Sequence, residues 1–169
     1  MKEAVIVSTA RTPIGKAFRG AFNDTQAQEM AGHAIAEAVK RSKVSKEEID
    51  DVIIGAAGQQ GSQQGNIARQ SLLRAGLPVS VAGMSLDRQC ASGMMAIATA
   101  AKEITEDGMT ITVGGGVESV SLVRNENFRM DRARDPWLEE NIPALYMTMI
   151  ETAENVAKRY KISRTEQQE

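Results

Sequence analysis

The sequence predicts an α/β fold built around a mostly parallel sheet. Three observations predict it. Short β-branched runs recur along the chain, stretches with helical apolar spacing follow them, and Gly or Pro punctuates the joins. Strands alternating with helices connect by right-handed crossovers, and no internal repeat or low-complexity tract points to another architecture.

Residues 4–8 (Ala-Val-Ile-Val-Ser) form the first β-branched run, read as a buried strand and broken by Arg11-Thr12-Pro13-Ile14-Gly15-Lys16. A helix is predicted over 25–41, because Met30, Ala31, Ala34, Ile35, Ala38 and Val39 make one apolar stripe, with Asp24 or Thr25 as its cap. His33, Glu37 and Lys40 fall outside the stripe. Ser45 to Glu48 has the form of a capping box and opens a short helix. Val52-Ile53-Ile54 is the second strand, and the Gly/Gln/Ser-rich stretch 58–65 is an irregular loop. Asn66 caps a helix running to Ala75, which Gly76 and Pro78 end. Residues 84–86 are the third strand, 91–105 a helix, and 109–113 the fourth strand, with Gly114-Gly115-Gly116 forcing a turn. Charge is dense and no period emerges over 121–143. A helical stripe returns at Met149, Ile150, Ala153, Val156, Ala157 and Tyr160. A capping box at Ser163 to Glu166 starts a further helix that Glu169 cuts short, so the chain reads as truncated.

Composition narrows the function. The chain has 169 residues, 42% hydrophobic, which suits one domain or a domain with part of another. Its 20 basic and 22 acidic residues lack the surplus of positive charge that phosphate neutralisation needs, so nucleic acid is not the expected partner. No apolar run approaches the ~20 residues that span a bilayer, and the first residues do not form a signal peptide. A soluble, cytoplasmic chain is expected. One cysteine, Cys90, excludes an internal disulfide framework and a multi-cysteine zinc site; one histidine, His33, excludes a histidine-rich metal site.

Cys90 stands where a predicted strand turns into a predicted helix, followed by Ala91-Ser92-Gly93. The unpaired amides of a helix's first turn favour negative charge, and a thiolate is the nucleophilic form of cysteine. The small residues leave room for a carbonyl group beside the sulfur. The following helix is apolar nearly all round, which predicts a buried helix and a cysteine at the base of a cleft. A lone cysteine also reads as a small buried apolar residue, and the residues alone leave both readings open. A helix end contributes about 0.3–2 kcal/mol, so a cysteine nucleophile also needs a base; His33 lies off its helix's apolar stripe and reads as a surface residue. Gly114 to Gly116 lacks the phosphate-binding glycine patterns. Asp131, Asp135, Glu139 and Glu140 match no metal loop and read as a solvated segment.

Arg88-Gln89-Cys90-Ala91-Ser92-Gly93 resembles the nucleophile motif of the thiolase family, the acetyl-CoA C-acyltransferases. Ala10 to Lys16, Gly65-Asn66-Ile67-Ala68-Arg69-Gln70, Gly115-Gly116-Val117-Glu118-Ser119 and Thr152 to Ala157 with Ile162-Ser163-Arg164 resemble further family segments, in order. The resemblance implies the N-terminal βαβαβ half of an αβαβα layered architecture, truncated. Residues 1–120 would be the N-terminal domain and 121–169 the start of the loop domain. It implies that Cys90 accepts an acyl group. The reaction would be ping-pong, either 3-ketoacyl-CoA thiolysis or acetyl-CoA condensation, with coenzyme A thioesters as substrates and no cofactor or metal. It implies a homodimer or homotetramer when complete, with Asn66, Arg69 and Gln70 near the subunit contact, and Met149 as a wall of the acyl or pantetheine pocket. Asp87 stands where the family has Asn, and Thr148-Met149-Ile150 stands where many members have His-Met-Gly. The family's activating His, second Cys and completing oxyanion glycine come from its C-terminal half, so this chain alone is expected to be inactive. Two alternatives are a non-catalytic assembly fragment and a condensing enzyme of ketoacyl-synthase type.

Overall fold

The structure is a computed structural model describing residues 2–169, which divide into two units, one ending at Phe128 and one spanning Arg129–Glu169. In the first unit, β1 (Asp51–Gly55), β2 (Ala82–Leu86) and β3 (Thr112–Gly116) form a parallel sheet in the order β2-β1-β3. Helices α1 (Ala27–Ser42) and α2 (Ile67–Arg74) cover one face, and α3 (Ser92–Thr105) covers the other.

The alternation of β1 decides the layering, because successive side chains of a strand point to opposite faces. Val52 and Ile54 join Ile35, Val39, Ile67 and Leu72 in one core. Ile53 turns to the other side and packs with Ala96, Ala100 and Leu86. All five residues of β1 are buried, as befits the central strand of a sheet covered on both faces.

Most predicted elements form where the spacing puts them. The buried stripe of α1 is Ala27, Ala31, Gly32, Ile35 and Val39. Its N-cap is Gln26, without a side-chain bond, so neither Asp24 nor Thr25 serves as the cap. Asn66 caps α2 as expected, its Oδ1 accepting from the Arg69 N–H at 3.1 Å.

Three expectations need correction. Residues 4–8 form no strand: Val5, Ile6 and Val7 are 70%, 76% and 70% exposed. β-branching favours an extended backbone, but a strand also needs a neighbour's amides and carbonyls. Among the described residues no backbone bond ties this segment to the sheet. Side chains tether it instead, Ser8 Oγ donating to Ala38 O at 2.8 Å and Arg41 to Thr9 O at 2.9 Å. Second, Gly114 to Gly116 is not a turn but the end of β3, which starts three residues later than expected. The reason is tertiary. A Cβ on Gly114 would lie 2.7 Å from Ile97 Cα and 3.0 Å from Ala96 O, so glycine is what lets α3 lie directly on the strand. Third, α3 is buried along one face only, at Ser92, Ala96, Ala100 and Glu103, while Met94 and Ile97 are 75% and 45% exposed.

The second unit contains α5 (Pro136–Asn141) and α6 (Met149–Tyr160), the short helix α4 (Val120–Val123) belonging to the first unit. Asp135 caps α5, accepting from Leu138 N–H at 3.1 Å, and a Thr148–Glu151 capping box opens α6. The acidic residues of this stretch are engaged locally: Asp131 pairs with Arg129 at 2.9 Å and Glu139 with Arg134 at 3.2 Å. The Ser163–Glu166 box forms its bonds, but the residues that follow make turns rather than a helix.

Two carboxyls are buried where α3 crosses the start of β1. Burial pushes Glu103 above the usual carboxylate range, and the charges of Asp51 and Asp107 add to it. Burial also raises Asp51, against the Val52 amide that lowers it. Among the described residues Glu103 Oε2 has no hydrogen-bond partner. A carboxyl raised on folding stabilises the fold below its unfolded pKa, and that contribution is lost as pH rises through the folded value.

Two predictions follow from this packing. Leaving a buried charged oxygen unsatisfied costs about 1–3 kcal/mol, so Glu103→Gln raises the melting temperature at pH 8 by about 2–5 °C. The gain shrinks towards pH 4.5, and a pH-independent difference contradicts the account. Gly114→Ala lowers stability by about 1–3 kcal/mol in urea unfolding. Gly115→Ala, whose Cβ would meet only Ile54 Cδ1 at 3.7 Å, serves as the tolerated control.

Candidate functional site

The C-terminal ends of β1 and β3 meet the first turn of α3. Ala56 N–H donates to Leu86 O at 3.0 Å and Val117 N–H to Gly55 O at 3.0 Å, which ties the strand ends together. The strand order 2-1-3 reverses direction here, and parallel α/β sheets place their ligand sites at this edge.

Close approach fixes the helix start. A Cβ on Gly55 would stand 2.2 Å from both C and O of Ser92, and one on Gly116 would stand 2.9 Å from Gly93 Cα. The backbone at Ser92 and Gly93 therefore lies on the glycine ends of β1 and β3, and the segment from Asp87 to Ala91 arches from β2 onto it.

Cys90 occupies this arch, two residues before α3 begins, and is exposed. The sulfur is neither enclosed nor set within a strand. It does not lie at the base of a cleft as the apolar helix suggested, because α3 is covered on one face only. Ala91 is the N-cap of α3 and supplies no side-chain bond. Among the described residues, the Gly93 and Met94 N–H groups have no acceptor. The arrangement can support a negative charge beside the helix end, which is what a thiolate or a developing oxyanion requires.

A network of side chains holds the loops around the arch. Asp87 Oδ1 accepts from the Gln89 N–H at 2.7 Å, a role the Oδ1 of an Asn would fill equally. Ser92, 4% exposed, accepts from Arg88 N–H at 2.9 Å and donates to Gln89 O at 2.6 Å. On the neighbouring loops, Glu118 accepts from Ala57 N–H at 2.8 Å, Gly58 N–H at 3.2 Å and Gln63 Nε2 at 2.7 Å. Gln63, 1% exposed, also donates to Gly58 O at 2.7 Å and accepts from Ser119 N–H. Glu118 thus clamps the loop after β1 to the end of β3. Of these residues, Asp87, Ser92 and Glu118 stood in or beside segments that the family resemblance singled out, and Gln63 stood in a stretch read only as irregular loop. Gln63, Asp87 and Ser92 carry no periodic signal, since polar networks have none.

Asn66, Arg69 and Gln70 sit at the start of α2 with their polar groups engaged inside the chain. Asn66 Nδ2 donates to Gly83 O at 2.8 Å, Arg69 donates to Val79 O at 2.9 Å and to Val81 O, and Gln70 Nε2 donates to Gln64 O at 2.7 Å. Met149 opens α6 in the second unit and is 74% exposed. His33 is exposed on α1. A crevice of about 280 Å3 lies between residues 10–17 and the segment Gly116 to Ser121, and Cys90 does not line it.

Comparison with known proteins agrees with the geometry. The family profile described as "Thiolase, N-terminal domain" matches residues 4–169. The chain is 40% identical over 169 residues to the 3-ketoacyl-CoA thiolase of Bacillus subtilis (strain 168), covering 99% of this chain and 42% of that protein. It is 37% identical over 179 residues to the acetyl-CoA acetyltransferase of Cupriavidus necator, covering 100% of this chain and 45% of that protein. The crystal structure of the Bacillus anthracis acetyl-CoA acetyltransferase superposes with a TM-score of 0.80 at 36% identity, over 97% of this chain and 43% of that one. The chain spans less than half the length of these relatives. With a parallel sheet, a cysteine arched over its C-terminal edge and a profile match from residue 4 to residue 169, the chain belongs to the thiolase family.

Proposed function

We propose that this chain carries the acyl-accepting nucleophile of an acyl-CoA C-acyltransferase, and that Cys90 is that nucleophile. The observation that carries the reading is the exposed Cys90 two residues before α3, a helix whose Gly93 and Met94 amides have no acceptor among the described residues. In thiolysis, the Cys90 thiolate attacks the 3-keto carbon of a 3-ketoacyl-CoA. A carbon–sulfur bond forms, the bond between C2 and C3 breaks, and acetyl-CoA leaves after its enolate takes a proton. The thiolate of a second coenzyme A then attacks the acyl-cysteine thioester and frees the sulfur. Condensation runs the same steps in reverse from two acetyl-CoA molecules.

The remaining parts of the reading come from the family. Coenzyme A thioesters are the substrates, and no further cofactor is assigned. Met149 lines the acyl or pantetheine pocket. Residues 121–169 open the loop domain. The complete protein is a cytoplasmic homodimer or homotetramer, with the Asn66 to Gln70 corner near the subunit contact. No described helix is long and apolar enough to cross a membrane.

The base and the second oxyanion donor are not supplied by these 169 residues, whose single histidine, His33, lies exposed on α1. Incubated alone with acetyl-CoA, this chain therefore gives no turnover. In the complete protein, Cys90→Ala lowers thiolysis of a 3-ketoacyl-CoA by about 10^3-fold or more. Unchanged activity in that variant overturns the assignment and favours a non-catalytic assembly role.

A further inference from the structure

Gln89, the residue before Cys90, has φ 51°, a left-handed conformation that side chains other than Asn and Asp seldom adopt. Each of its backbone polar groups is held by one neighbour, the N–H by Asp87 and the carbonyl by Ser92. Its N–H donates to Asp87 Oδ1 at 2.7 Å. Its carbonyl accepts from Ser92 Oγ at 2.6 Å and from Ser92 N–H at 3.0 Å. Ser92 Oγ also accepts from Arg88 N–H at 2.9 Å and lies 3.5 Å from Asp87 Oδ1, so the two side chains meet inside the turn. Ser92 is itself fixed, buried with its carbonyl group against Gly55 of the central strand.

We propose that Asp87 and Ser92 are positioning residues for Cys90, which together hold Gln89 left-handed and so set the direction of the thiol relative to the open end of α3. The peptide joining Gln89 to Cys90 begins at the carbonyl that Ser92 grips from two sides. Releasing that carbonyl, or the amide that Asp87 holds, lets Gln89 return to the right-handed or extended regions and turns the Cα–Cβ bond of Cys90 away. The accepting oxygen of residue 87 does this, not its charge. The proposal rests on Cys90 being the acyl acceptor for its meaning in catalysis, but not for its test.

The single cysteine makes alkylation by iodoacetamide a direct readout of the thiol. In this chain, Asp87→Ala and Ser92→Ala slow the alkylation of Cys90 about three- to tenfold at neutral pH, while circular dichroism shows an unchanged fold. Asp87→Asn keeps the accepting oxygen and stays close to the parent rate. Parent rates in both folded alanine variants overturn the proposal, as does a loss in Asp87→Asn as large as in Asp87→Ala. Where an alanine variant does not fold, amide hydrogen exchange on the parent chain decides: the Arg88 and Gln89 amides are protected, and a freely exchanging Gln89 amide overturns the clamp. Iodoacetamide needs no acyl-CoA, so a failed clamp leaves the acyl-acceptor reading standing. A thiol that alkylates as expected but never takes an acyl group sinks that reading alone.

Discussion

The seating of α3 on the glycine ends of β1 and β3 is the constraint from which the rest of the site follows. Close packing of a helix on a sheet normally leaves a layer of side chains between them. Here Gly55, Gly114 and Gly116 remove that layer, and the backbone of Ser92, Gly93, Ala96 and Ile97 comes down to the strands. The first turn of the helix is thereby held against the central strand, itself buried from end to end. A loop arching onto a fixed helix start can hold one residue in an unfavourable conformation because the surrounding bonds over-determine it. Gln89 is that residue, and Cys90 follows it.

The same seating explains an asymmetry in the helix. One face of α3 is buried on the sheet at Ala96 and Ala100, while the side chains of Met94 and Ile97 remain exposed. The helix also carries Glu103 into the interior beside Asp51, where neither carboxyl is well accommodated in its charged form. The end that bears the cysteine turn is tightly packed, and the far end holds an unsatisfied carboxylate oxygen. Site geometry is thus set at one end of this helix, and stability is given up at the other.

Much of this was legible in the sequence. The stripe of α1, the hydrophobic run of β1, the Asn66 cap of α2 and the strand-to-helix setting of Cys90 are all local patterns, and local patterns are what a sequence displays. The failures share a cause as well. The β-branched residues 5–7 have strand propensity, but pairing depends on a neighbour that propensity does not supply. Gly114 to Gly116 looks like a turn because glycine is permissive, yet here it serves a tertiary approach that only Ile97 and Ala96 reveal. The all-apolar composition of α3 implied burial on every side, and burial depends on what surrounds the helix. The bonds of Asp87, Ser92 and Gln63 had no spacing to betray them.

The central claim is that the sulfur of Cys90 forms a thioester during the reaction. The direct measurement is rapid acid quenching of the complete protein with an acyl-CoA substrate, followed by digestion and mass mapping of the peptide containing residue 90. The account predicts an acyl adduct on Cys90 that disappears when free coenzyme A is added before the quench. Turnover with the peptide unmodified at every quench time, or an adduct on another residue, contradicts it.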